Sequence, residues 1–242
     1  MDRLRKLLCA CVLAAWLLPA APLLAQAKAN QCAVDFQIMV FSARKQIASG
    51  ALNKMDRPTE LPDLYYRGAE GYEPLDISHT TLSPSYAYAG ATQFTLYARQ
   101  VRDEEFVYTP VFNVQFGADW KQAIVLLITN SVGEQKSRAV AINTTRENVP
   151  TGSILVYNLS VKDLVLNAGK DIYNLPPLIP ATVSVANIQN NTLPVQLALK
   201  DNDEYKLVYR RKWRMQPDVS GVYFLFTLND DDRRWFMRNV IL

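Results

Sequence analysis

The sequence predicts an all-β protein: two antiparallel β-sandwich domains, Ig-like or jelly-roll-like, in tandem after a cleaved signal peptide. Three observations carry this. Apolar and polar residues alternate at period two over most of the chain from Phe36 onward. Strand-like runs follow one another at roughly 8–12 residues, with Pro, Asn, Asp and Gly between them. A polar stretch, Arg146-Glu147-Asn148-Val149-Pro150-Thr151-Gly152, parts two blocks of ordinary domain size. The chain has 242 residues, 49% hydrophobic and 20% charged, so each block can bury a core, and neither disorder nor a collagen-like structure fits.

The first element is a leader. Arg3, Arg5 and Lys6 precede an apolar run from Leu7 to Leu18, and Pro19 and the small-x-small triplet Ala25-Gln26-Ala27 follow. This is the pattern of a secretory signal peptide, with cleavage expected after Ala27. The apolar run is shorter than the ~20 residues that span a bilayer, so no transmembrane helix is expected. The residues before Cys32, Ala29-Asn30-Gln31, do not form a lipoprotein triplet. The expected organisation is residues 1–27 as signal, 30–145 as the first sandwich and 150–242 as the second, in a secreted or periplasmic protein.

Cleavage changes the chemistry. Taking Arg3, Arg5 and Lys6 from 26 basic residues and Asp2 from 23 acidic ones leaves 23 against 22, a net charge of about +1. A general nucleic-acid role loses its electrostatic basis. Of 3 cysteines only Cys32 remains, so no intramolecular disulfide can form. Cys32 reads as a semi-buried apolar residue near the first strand, or as an intermolecular bridge. With one His and so few Cys, a zinc site or a multi-histidine metal centre is not expected, and no cofactor is expected.

Strands are expected at 36–41, 93–99, 106–116, 123–128, 153–159, 163–167, 181–185, 195–199, 205–215, 222–228 and 234–241. Pro110 marks an edge strand or a bulge, since proline cannot donate to a ladder. Ala123 to Ile128 is a continuous apolar run, as in a strand buried on both faces. Residues 41–54 are the one helical candidate, weakened by Gly50. Gly is scarce for so many turns, 9 in all, and Asn and Asp take its place, as at Asn190-Asn191. No repeat at fixed period is visible.

Val149-Pro150-Thr151-Gly152-Ser153-Ile154-Leu155-Val156-Tyr157-Asn158-Leu159-Ser160, followed by Leu164-Val165-Leu166-Asn167-Ala168-Gly169, resembles the start of small secreted bacterial β-domains with a G-S-x-x-V-x-N-x-S strand. Tyr205 to Arg214 and Gly221 to Phe226 resemble the way such chains end. Tyr65-Tyr66-Arg67-Gly68 and Tyr86-Ala87-Tyr88-Ala89-Gly90 resemble the partner domain of the same uncharacterised, Verrucomicrobia-like two-domain families. The resemblance covers most of the mature chain through short motifs. It implies the fold and a secreted bacterial origin, and brings no catalytic motif.

Two surfaces stand out as binding candidates. From Leu207 to Met215, alternation places Val208, Arg210, Lys212 and Arg214 on one face and Tyr209, Arg211, Trp213 and Met215 on the other. Arg210, Lys212 and Arg214 form a cationic stripe suited to an anionic polysaccharide, a phosphorylated surface or an acidic partner. A solvated face paired with acids on the adjoining strand would look the same. Tyr65, Tyr66, Tyr72, Tyr86 and Tyr88 gather in what read as loops, where exposed rings could stack on sugars; core or loop-anchoring tyrosine is the competing reading.

Catalysis finds little support. There is no G-x-S-x-G elbow, H-E-x-x-H or P-loop, and His79 sits in a polar loop. The acidic runs Asp201-Asn202-Asp203-Glu204 and Asn229-Asp230-Asp231-Asp232 lack the calcium-loop pattern and read as hairpin turns. The chain is therefore expected to be a non-enzymatic binding or structural module at the bacterial cell envelope, its partner an envelope protein or polysaccharide. A carbohydrate-binding module is the first alternative and a carboxylate-pair hydrolase the second. An outer-membrane barrel is disfavoured by charges on both strand faces.

Overall fold

A strand that alternates apolar and polar residues has one face to bury, and two sheets of such strands bury their apolar faces against each other. The computed structural model describes residues 31–43, 61–78, 81–130, 137–186, 188–201, 204–227 and 235–242. The expected signal peptide, His79 and most of the two acidic runs lie outside them. The described elements are β1 (Gln31–Ala43), β2 (Leu64–Arg67), β3 (Tyr72–Pro74), β4 (Tyr86–Ala91), β5 (Gln93–Arg102), β6 (Glu105–Gln115), β7 (Gln122–Asn130) and β8 (Arg138–Asn143), followed by β9 (Ser153–Asn158), β10 (Leu164–Ala168), β11 (Asp171–Leu175), β12 (Ala181–Ser184), β13 (Thr192–Asp201), β14 (Glu204–Arg214), β15 (Ser220–Thr227) and β16 (Trp235–Ile241).

These strands form four four-stranded sheets, paired into two β-sandwiches. The first sandwich packs β4-β1-β7-β8 on β3-β2-β5-β6, and the second packs β12-β9-β15-β16 on β11-β10-β13-β14. Counted from its own first strand, each sandwich has the same order, 4-1-7-8 over 3-2-5-6. The resemblance extends to detail: β5/β6 slips register between Leu96 and Tyr97, and β13/β14 slips between Leu197 and Ala198. The two halves share a topology without sharing a periodic sequence, because the pattern of faces constrains side-chain polarity and not identity.

Among the described strands, pairing is antiparallel except at two places. β1 runs parallel to β7, and β9 parallel to β15; strands so distant in the chain have no hairpin to force them antiparallel. β1 continues to Ala43, paired with Asn130. The expected helix therefore gives way to strand over Phe41–Ala43, because the ladder to β7 satisfies this backbone; the rest of that segment lies outside the described residues. β6 is an edge strand with its extra residue, Val111, beside Pro110, so proline's missing donor coincides with the interrupted ladder. Asn190 and Asn191 both take positive φ, 52° and 51°, as do Asp103 and Glu104 in the β5–β6 turn. This is the two-residue turn that suits hairpin twist.

Three apolar layers stack in sequence. Phe36, Phe94, Leu96, Phe116 and Val125 fill the first sandwich, and Val156, Leu166, Leu197, Trp213 and Tyr223 the second. Between the sandwiches lies a third layer, with Phe41, Ile124, Leu126, Leu155, Tyr157, Val222 and Phe224. β7 thus alternates Val125 and Leu127 into its own core with Ile124 and Leu126 into the shared layer, which is why Ala123 to Ile128 is apolar throughout. Phe41 meets Phe224 edge-on with centroids 5.2 Å apart. From β16, Arg238 donates to the Val40 carbonyl at 3.1 Å and lies over the Phe41 ring. Desolvation pushes its pKa down.

The Gly152-to-Ser160 motif has physical content. Gly152 takes φ of 76°, and a Cβ there would lie 2.9 Å from the Pro217 carbonyl oxygen. Asn158 is fully buried; its amide donates to the Leu175 and Lys162 carbonyls, and its Oδ1 accepts from the Ser160 N–H and hydroxyl. A buried amide satisfied on every side fixes the chain's turn out of β9.

Burial raises the Tyr157 phenol to about 12, and burial with the Glu73 hydrogen bond raises Tyr66 to about 12. A raised folded-state pKa leaves stability intact below the usual phenol value near 10 and removes it between about pH 10 and 12, where the unfolded chain ionises first. Thermal melts across that window should fall more steeply for the wild type than for Tyr157→Phe. Equal slopes would contradict it.

Candidate functional site

β14 is the edge of its sheet, and its geometry follows from the register with β13. Arg210 lies opposite Gln196, Lys212 opposite Pro194 and Arg214 opposite Thr192. These partners carry no charge, so the acidic neighbours that would neutralise the stripe are absent from the adjoining strand. All three cations are exposed, and none makes an ion pair among the described residues. Repetition every second residue places them about 7 Å apart on one side of an extended strand.

The bulge corrects one position. Val208 is the extra residue opposite Leu197/Ala198, and it packs against the core instead of extending the cationic face; Leu207 takes the outward position, opposite Ala198.

Arg211 lies outside the stripe that alternation isolates. It pairs with Val195, whose side chain is in the core, so it points to the inner side of the sheet between Tyr209 and Trp213. There β14 and β16 leave a cleft of about 260 Å³, lined by Tyr209, Arg211, Trp213, Tyr223, Met237 and Asn239 together with Lys212 and Arg214. Trp213 stacks on Tyr223 at 5.2 Å between centroids, and its Nε1–H donates to the Tyr209 hydroxyl oxygen at 3.1 Å. Among the described residues no carboxylate lines this cleft. The sequence signal for it was present in the same alternation that isolated the stripe, but opposite faces of one edge strand meet at a cleft only when the second sheet's edge is known.

No family model and no curated protein matches this chain. The chemistry of its surfaces is therefore what supports a function.

The five sequence-selected tyrosines do not form one surface. They lie on strands β2, β3 and β4, not in loops, because short ladders there satisfy the backbone. Tyr66 is buried, 3% exposed; its hydroxyl donates to the Glu73 carboxylate and its ring meets Phe36 edge-on. Tyr86 and Tyr88 are half-buried against Phe36 and Phe94. Tyr88 donates to the Ala91 carbonyl at 2.9 Å, and Gly90 leaves room for it: a Cβ there would lie 2.7 Å from the Tyr88 oxygen. Tyr65, 7% exposed, turns to the outer face but lies under Arg99 and against Tyr108. These four are removed as a sugar platform by burial or packing.

Tyr72 remains, 37% exposed, stacked face to face on Tyr108 at 3.8 Å and edge-on to Tyr97. Arg99 also covers Phe106, and Phe106 and Val101 stand open near the β5–β6 turn. Tyr97, Tyr108, Arg99 and Phe106 come beside Tyr72 only through the pairing of β5 and β6 with β2 and β3, which no local pattern shows.

Cys32 is 6% exposed at the start of β1, its Sγ 3.8 Å from the Ala91 carbonyl oxygen, and burial pushes the thiol pKa up. A buried, protonated thiol is a poor partner for bridging. A chain lacking residues 1–27 should react with a thiol reagent slowly when native and rapidly, to one equivalent, when unfolded. Fast native labelling, or a dimer band on a non-reducing gel, would restore the intermolecular bridge.

Proposed function

We propose that this protein is a non-enzymatic binding module of the bacterial cell envelope, exported by its leader, that holds an anionic extracellular polysaccharide along β14. The observation that carries it is the row of Arg210, Lys212 and Arg214 on an exposed edge strand, facing Gln196, Pro194 and Thr192 instead of acids. An extended polyanion can lie along such a row and meet each cation in turn. Among the described residues no helix is long and apolar enough to cross a membrane. The resemblance to secreted two-domain families supports the envelope location.

The mature protein should be retained on an immobilised polyuronate and released by rising salt, and should pass a neutral glucan of similar length. Equal retention on both, or none on the polyuronate, would refute the proposal. A second reading, a neutral sugar held on the outer face of the first sandwich, is favoured only by Tyr72, whose ring is partly open above Tyr108.

A further inference from the structure

The shared strand order allows the two sandwiches to be compared position by position. Aligned at their common register slip, Tyr209, Arg211 and Trp213 of β14 stand where the first sandwich has Phe112 and Val114 of β6 and Phe116 just after it. Aligned on the parallel pairs, Tyr223, Met237 and Asn239 stand where the first sandwich has Val125, Ala139 and Ala141. In the first sandwich those residues are core or pack against it, and β6 closes onto β8. In the second, the same edge carries a guanidinium at a buried valine's position and an amide at an alanine's, and β14 and β16 stay apart around the cleft.

The cleft's polar groups are all able to donate. Tyr209 accepts from the Trp213 N–H, so its own O–H proton is free to point elsewhere. The side chains of Arg211 and Asn239 are exposed and make no hydrogen bond among the described residues. Three donors with a net positive charge and no carboxylate among them make a receptor for a carboxylate, with Arg211 as the bidentate group. A space of about 260 Å³ falls just below the range of drug-sized sites and suits one small group.

We propose that the cleft between β14 and β16 binds the carboxylate of a single acidic sugar residue, such as a chain end or branch of the polymer held on the outer side of the same strand. The site itself rests on the comparison of the two sandwiches; only the choice of a sugar rests on the polysaccharide reading.

The test is a titration of the mature protein with D-glucuronate, followed by tryptophan fluorescence, since Trp213 forms part of the cleft. Saturable change with glucuronate and none with glucose or N-acetylalanine is expected. Arg211→Gln and Asn239→Ala should each weaken the response, the first by about tenfold or more. Charge reversal at exposed Lys121 and Arg146 should leave it in place. No saturation, an equal response to glucose, or an unchanged response in Arg211→Gln would overturn the site; an equal response to N-acetylalanine would keep a carboxylate site and overturn the choice of a sugar. An Arg211→Gln protein that binds normally and self-associates would assign Arg211 instead to guarding the open edge. Glucuronate binding without retention on polyuronate would refute the polysaccharide reading and keep the site; retention without glucuronate binding would do the reverse.

Discussion

Phe224→Ala should lower the stability of the protein by about 3–5 kcal/mol, the usual cost of removing a fully buried aromatic ring. Phe224 is wholly buried, yet its ring belongs to neither sandwich's own core: it lies between Phe41 of the first and Tyr157 of the second. The cavity would open in the layer that joins the two, so both sandwiches should lose a neighbour. For a chain of this size the loss corresponds to a fall in Tm of about 6–20 °C. A calorimetric scan should show one transition in the wild type and a broadened or split one in the variant. Ile172→Ala, on an exposed outer face, should stay within about 0.5 kcal/mol of wild type. A Phe224→Ala protein that melts within 2 °C of wild type, by about the same scale, would show that the shared layer contributes little.

Reversing Arg210, Lys212 and Arg214 to Glu should abolish retention on polyuronate near physiological salt while leaving the fold intact. Exposed ion pairs contribute about 0.2–1 kcal/mol each, and each reversal replaces an attraction by a repulsion of similar size. Three sites then amount to about 1–6 kcal/mol, whose middle is a weakening of a few hundredfold. The cations are about 7 Å apart along the strand, inside the screening length of about 8 Å at physiological ionic strength, so a polyanion experiences them together. Reversal of Lys121 and Arg146 should change retention little. Unchanged elution of the triple variant would remove the stripe from binding; unchanged elution with new dimers by size exclusion would show that the charges keep the β14 edge from pairing with another chain.

Much of the fold is legible in the residues. Alternation in β5, β6, β13 and β14 identifies those strands, and Pro110 and Asn190-Asn191 identify an edge, a bulge and a tight turn. The short strands β2, β3, β4, β8 and β11 are not. Tyr65-Tyr66-Arg67 carries one outward and one inward ring side by side, and β4 hides its alternation behind Ala and Gly. In the candidate site, the stripe is legible because its three charges share one face. Arg211 is not, because a cation at an inward position of an edge strand looks like any other charge until the opposite sheet is in place.

By itself the sequence determined the strand character of this protein, the division of its apolar runs and the faces on which its side chains project, since all of these follow from local backbone preference and a period of two. Only the tertiary structure decided which tyrosines are core, that β7 and β15 each serve two apolar layers, and that the second sandwich stays open where the first is closed. Those outcomes depend on which strands become neighbours, and pairings between residues distant in the chain leave no mark in the local pattern.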